Sequence, residues 1–195
     1  ELLSPEQLDE LLALERMGED GAGEFEPIRL DLARNALVAV LSGQSPRARN
    51  EDVRRLEASV ASTDNAEDLR LLGWYGLNQH RPTQALEWFE QAMDEDPSVL
   101  SANGLGVALL DLDRPAEAED ILLDYEGETE EMTLLYLSAA AGTLAQMPRV
   151  ELDPEVLERI VAIGYENRHV QTAQELGWYA LAFNQPQTAI AWFET

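Results

Sequence analysis

The sequence predicts an all-α fold, an α-solenoid of antiparallel helix pairs, and three observations carry that expectation. Apolar residues recur at helical spacing along most of the chain, and no segment alternates as a half-buried strand does. Two stretches 104 residues apart, Leu72 to Glu90 and Leu176 to Glu194, agree at ten of nineteen positions without a gap. Gly73, Gly106 and Gly177 stand inside helical patterns, where Gly costs ~1 kcal/mol relative to Ala, so close packing is expected there.

From the N-terminus, Ser4-Pro5-Glu6-Gln7 reads as a helix start, with a capping Ser and Pro in the first turn. Leu8, Leu11 and Leu12 follow on one apolar face. Gly18 to Gly23 holds three Gly and two acids and reads as a loop. The pattern predicts a second helix over Pro27 to Leu41 that buries Ile28, Leu32, Ala36, Leu37 and Val40. After the break Ser42 to Pro46, a third helix over Asn50 to Ala61 buries Val53, Leu56 and Val60. The apolar run Leu134 to Met147 reads as a buried helix, being short of the ~18 residues a membrane span needs.

The near copies share Leu-Gly-Trp-Tyr, a Pro, an Ala and Trp-Phe-Glu, and their spacing is about three units of ~34–35 residues. Counted from Ala66, the unit carries Leu69, Leu72, Gly73, Ala85, Phe89, Ala92 and Pro97. In that arrangement the chain resembles the tetratricopeptide repeat (TPR) family, with Leu69 in place of a large aromatic residue and Tyr75 one position early. The resemblance is specific over 66–98 and 170–195, fair over 99–130, and architectural over 131–168. It implies a right-handed superhelix of helix hairpins over residues 66–195, the last unit truncated. Residues 1–63 are expected to be N-terminal helices that include a diverged pair over 27–63.

Such pairs cannot bury their apolar surface alone, so neighbours stack and share a core. Gly73 and Ala85 are expected on facing helices, where their small size allows close approach, with Phe89 and Ala92 packing on the following unit. By resemblance, first helices line an inner wall. The wall positions are Glu67, Arg70, Trp74, Leu77 and Asn78; then Asn103, Val107, Leu110 and Asp111; then Gln174, Trp178, Leu181 and Ala182. Trp74 and Trp178 are either core fillers between first helices or partner anchors, since indoles are frequent anchors at binding surfaces. Trp88 and Trp192, on second helices, are expected to pack as core or on the convex face.

Thirteen basic residues, all Arg, stand against 38 acids, a net charge of −25. Nucleic-acid phosphates and anionic membrane surfaces repel such a chain; a solvated acidic surface or attraction of a basic partner are the readings that remain. Arg47, Arg49, Arg54 and Arg55 form the one basic cluster, without interleaved aromatics. The absence of Cys excludes disulfides and thiolate chemistry. His80 and His169 lack metal-ligand spacing and read as exposed loop residues. Gly104-Leu105-Gly106 has no third Gly and no preceding strand, and the acidic runs at Asp111 to Asp113 and Glu126 to Glu131 lack a complete calcium loop.

The expectation is therefore a non-enzymatic scaffold without cofactor or metal that holds a protein or peptide, a basic one being the sharper choice. The alternative is a structural or assembly module that self-associates. Analogy with exported bacterial scaffolds for exopolysaccharide secretion or envelope assembly tilts location towards the periplasm, the cytoplasm remaining open. Glu1-Leu2-Leu3, and an end inside an amphipathic pattern, read as cuts from a longer protein.

Overall fold

The computed structural model describes residues 5–16 and 23–194, apart from the side chains of Pro5, Glu6, Leu8 and Asp9. Ser4, and most of the loop expected at Gly18 to Gly23, lie outside the described residues. The described chain forms helices α1 Pro5–Leu12, α2 Glu26–Leu41, α3 Asn50–Thr63, α4 Ala66–Asn78, α5 Pro82–Glu95, α6 Val99–Asp111, α7 Pro115–Leu123, α8 Glu130–Ala145, α9 Pro154–Glu166, α10 Val170–Ala182 and α11 Pro186–Phe193. No strand forms among the described residues. From α2 onward the helices stack as antiparallel pairs: α2, α4, α6, α8 and α10 lie side by side as first helices, each touching the next. The fold is an all-α solenoid.

The turns inside the pairs explain why the pattern repeats. His80, Asp113 and Asn184 each adopt a left-handed backbone, with φ of 57, 56 and 58°. Each stands two residues before the Pro that opens a second helix (Pro82, Pro115, Pro186). That Pro has its φ pre-set for the first helical turn and gives up a donor the helix would not use. Three of the first helices, α4, α8 and α10, start on side-chain caps instead. Asn65 accepts from the Asp68 amide, Thr129 from that of Met132 and His169 from that of Thr172, each filling an otherwise orphaned donor.

Close approach between helices depends on the glycines, and Gly73 and Ala85 do lie on the facing helices α4 and α5. A Cβ at Gly73 would lie 2.6 Å from the Phe89 ring, and one at Gly104, on the next first helix, 2.1 Å from the same ring. Phe89 is thus wedged between α4 and α6 and fully buried. It is Gly76 that approaches Ala85, at 3.2 Å from an added Cβ to the Ala85 methyl. Burying a Phe ring contributes ~2–3 kcal/mol, and both glycines are needed to seat it.

Arginines clamp successive layers. Arg34 on α2 holds the buried Asp68 of α4 through two bonds of 2.7 Å. Arg159 on α9 grips the buried Glu119 of α7 at 2.8 and 2.6 Å, and the Tyr136 hydroxyl of α8 donates to the same carboxylate at 2.7 Å. Burial, then the Glu119 bond, pushes the Tyr136 phenol well above its ordinary pKa. A buried carboxylate persists only when it is paired in this way.

Several expectations need correction. On α2, Ile28 is exposed and Ala33 is fully buried instead, because the helix turns its Ala33, Leu37 and Val40 stripe towards α3 and α4. Leu11 is exposed while Leu12 is buried. Leu134 and Met147 stand out from the expected buried run. His169 is not an exposed loop residue: it caps α10 from a half-buried position, and burial lowers its pKa.

Candidate partner-binding face on the first helices

Matching buried positions puts the first helices in one register. Leu72, Gly73 and Gly76 of α4 correspond to Leu105, Gly106 and Leu109 of α6, to Ala140, Ala141 and Leu144 of α8, and to Leu176, Gly177 and Ala180 of α10. Because neighbours in a helix repeat at 3.6 residues, the remaining face then falls into rows. A central row runs Trp74, Val107, Gly142, Trp178. One flank is apolar, with Leu77, Leu110, Ala145 and Leu181. The other is polar, with Arg70, Asn103, Ser138 and Gln174. All of these residues are at least partly exposed.

Trp74 packs its edge on Phe89, ring centroids 5.3 Å apart and planes at 75°. Trp178 repeats the contact with Phe193 at 5.2 Å and 66°. The surroundings differ: Trp74 is partly buried, whereas Trp178 is 48% exposed. Trp74 opens into a recess of about 390 Å³ between α4 and α6, lined also by Glu67, Arg70, Leu71, Leu100, Asn103 and Glu131. Gln174 and Trp178 line a second, more apolar cavity of about 470 Å³ with Tyr165, Arg168, Val170 and Phe193. Among the sequence-predicted residues, Glu67, Arg70, Trp74 and Asn103 therefore meet in one recess and Gln174 and Trp178 in another. Leu77, Val107, Leu110 and Leu181 line neither recess, and Asn78, Asp111 and Ala182 lie exposed at the far ends of their helices.

Arg70 is engaged within the protein as well as lining the recess. Its Nη1 donates to Asp96 at 2.6 Å and to Ser101 at 3.1 Å, which ties α4 to the start of α6. The Arg70 bond, helped by the Ser98 hydroxyl, holds the Asp96 carboxyl below the usual range. Asn103 donates to Glu131 at 3.1 Å. Three residues of the first recess, Leu71, Leu100 and Glu131, escaped sequence reasoning. Leu100 sits at the α6 position equivalent to Glu67 and was reachable by carrying the register one turn further. Glu131 enters from the first turn of α8, whose own inner positions, Ser138, Gly142 and Ala145, carry no recognisable motif.

These features define a class: a helical-repeat solenoid with a row of aromatic and aliphatic side chains along its first helices. No family model matches the chain, and no curated relative matches it. Solved structures do. "MamA 41-end from Desulfovibrio magneticus RS-1" aligns with a TM-score of 0.56 at 18% identity, covering 92% of this chain and 94% of that one. "MamA RS-1 ArsTM double mutant" gives 0.57 at 18% identity, covering 92% and 93%. "Crystal structure of MamA protein" gives 0.55 at 17% identity, covering 85% and 88%. At such identity the likeness establishes the fold, a TPR-like stack of helix pairs along nearly the whole chain. Among the described residues, no helix is long and apolar enough to cross a membrane.

Proposed function

We propose that this protein is a non-enzymatic, TPR-like scaffold that holds a protein or peptide segment along the concave face of its first helices. The observation that carries the reading is Trp178. It is an indole 48% exposed, at the register position of Trp74, on a face where apolar residues run from helix to helix. A large aromatic side chain left in water costs what its burial would return, ~2–3 kcal/mol, and such residues concentrate at recognition surfaces. The contact residues are Trp74, Leu77, Asn103, Val107, Gln174, Trp178 and Leu181, with Asn78 at the rim and Arg70 as a positioning residue. With a net charge of −25 the chain suits a basic partner better than an acidic one.

Within this proposal residues 1–63 form an N-terminal section with a diverged pair over 27–63, and units over 66–98, 99–130, 131–168 and 170–195 build the groove. The shared shape of the intra-pair turns at His80, Asp113 and Asn184 supports the units over 66–98, 99–130 and 170–195. Pull-down of partners by wild type and by Trp178→Ala, each with unchanged circular dichroism, tests the groove. Partner recovery should fall at least several-fold in the variant, and equal recovery would refute it. A second reading, self-association through the solenoid's own surfaces, draws on the exposed Ile190 and Phe193 of α11. Sedimentation over a range of concentrations separates the two.

A further inference from the structure

The recess between α4 and α6 states what kind of side chain the groove takes. Three features meet there: the partly exposed Trp74 indole, the carboxylates of Glu67 and Glu131, and the aliphatic walls of Leu71 and Leu100. The one cation in the recess, Arg70, is spent on Asp96 and has only 13% of its side chain exposed. Neither Glu67 nor Glu131 pairs with an Arg among the described residues, and Glu131 accepts only the neutral amide of Asn103. Negative charge beside an aromatic face, with its internal counter-ion already engaged, is the environment that a desolvated ammonium or guanidinium prefers. The wider field has the same sign. Residues 64–195 hold six Arg against twenty-five acids, and elsewhere in that region the buried or bridging arginines Arg149 and Arg159 are consumed by Glu175 and Glu119.

We propose, resting on the groove reading above, that the bound segment is basic and amphipathic. A Lys or Arg side chain enters the recess over Trp74 between Glu67 and Glu131, and apolar side chains follow the row through Val107 to Trp178. The length of the segment follows from the stack. Trp74 and Trp178 are separated by three first-helix spacings of ~8–10 Å, so ~24–30 Å, which an extended chain covers in ~8 residues at ~3.3–3.6 Å each. The cation therefore binds near one end of an extended stretch of about that length, with an apolar anchor at the other.

The test uses fluorescence anisotropy with labelled twelve-residue synthetic peptides: one of repeating Leu-Lys-Lys-Leu, one of Leu-Glu-Glu-Leu and one of Leu-Ser-Ser-Leu. The Lys peptide should bind saturably, one per chain, and the Glu peptide should not. Neutralising the recess (Glu67→Gln with Glu131→Gln) should weaken the Lys peptide about 2- to 30-fold, the worth of two exposed ion pairs. Neutralising two exposed acids of α5 instead (Glu87→Gln with Glu90→Gln) should change it less than twofold. Equal weakening by the two pairs, or Lys and Ser peptides that bind alike, overturns the charge assignment. Trp178→Ala addresses the groove separately. If it leaves every peptide unaffected the groove reading itself falls, whereas loss in Trp178→Ala with no preference for Lys removes only this inference.

Discussion

The wedge of Phe89 between two glycines yields the sharpest consequence of the fold. Gly104→Ala places a methyl 2.1 Å from the Phe89 ring, which is fully buried and already backed by Gly73 at 2.6 Å. Carbon atoms settle at ~3.5–4.0 Å, so ring or helix must yield by roughly 1.5 Å in a core with no free direction. Overpacking costs ~1–3 kcal/mol or more, against a gain of ~1 kcal/mol from removing Gly from a helix interior. The net expectation is a loss of ~1–2 kcal/mol. Gly177→Ala is the matched comparison. Its methyl would meet the Phe193 ring at 2.4 Å, but Phe193 is 45% exposed and can swing out. There the helix term should dominate, giving a change between zero and a gain of ~1 kcal/mol. Urea unfolding followed by circular dichroism reads both. If Gly104→Ala stabilises as much as Gly177→Ala, the glycines are not packing devices and the argument for the wedge fails.

Three further expectations bear on the clamps, the caps and the groove. Arg159→Met leaves the Glu119 carboxylate buried with only the Tyr136 hydroxyl and should cost ~3 kcal/mol, at the low end for a broken buried pair because Arg159 is partly solvated; an unchanged urea midpoint would contradict that role. The His169 pKa is depressed by burial, so the unfolded chain binds the proton more readily, and stability present above pH ~6.5 is lost as pH falls below it. His169→Asn keeps a capping acceptor and should flatten that acid-side slope in thermal melts between pH 7 and 5, while an identical slope would locate the titration elsewhere. Trp178→Ala, which removes a half-exposed ring, should lower stability by less than ~1.5 kcal/mol while weakening partner capture, so a collapsed thermal midpoint would mark Trp178 as core.

The helices were legible because their signals are local. Apolar spacing and the copied Leu-Gly-Trp-Tyr segments each follow from a few neighbouring residues, and together they predict an all-α stack. The inner face was half legible: where the repeat motif survives, on α4, α6 and α10, the register could be carried over. It was lost on α8, where Ser138, Gly142 and Ala145 are too small and too varied to mark a face.

What the chain alone determined is the alphabet of the fold: which segments are helical, where they turn, and that they must pair because no single amphipathic helix can hide its stripe. Only tertiary packing decided who meets whom. Gly104, which the sequence already excludes from a dinucleotide loop, shows its role only where Phe89 comes to rest on it from another helix, and Arg70 looked like a groove cation until Asp96, twenty-six residues away, took its charge. Both outcomes depend on contacts across helices, whose partners are set by the summed fit of a stacked core rather than by any spacing readable along one helix.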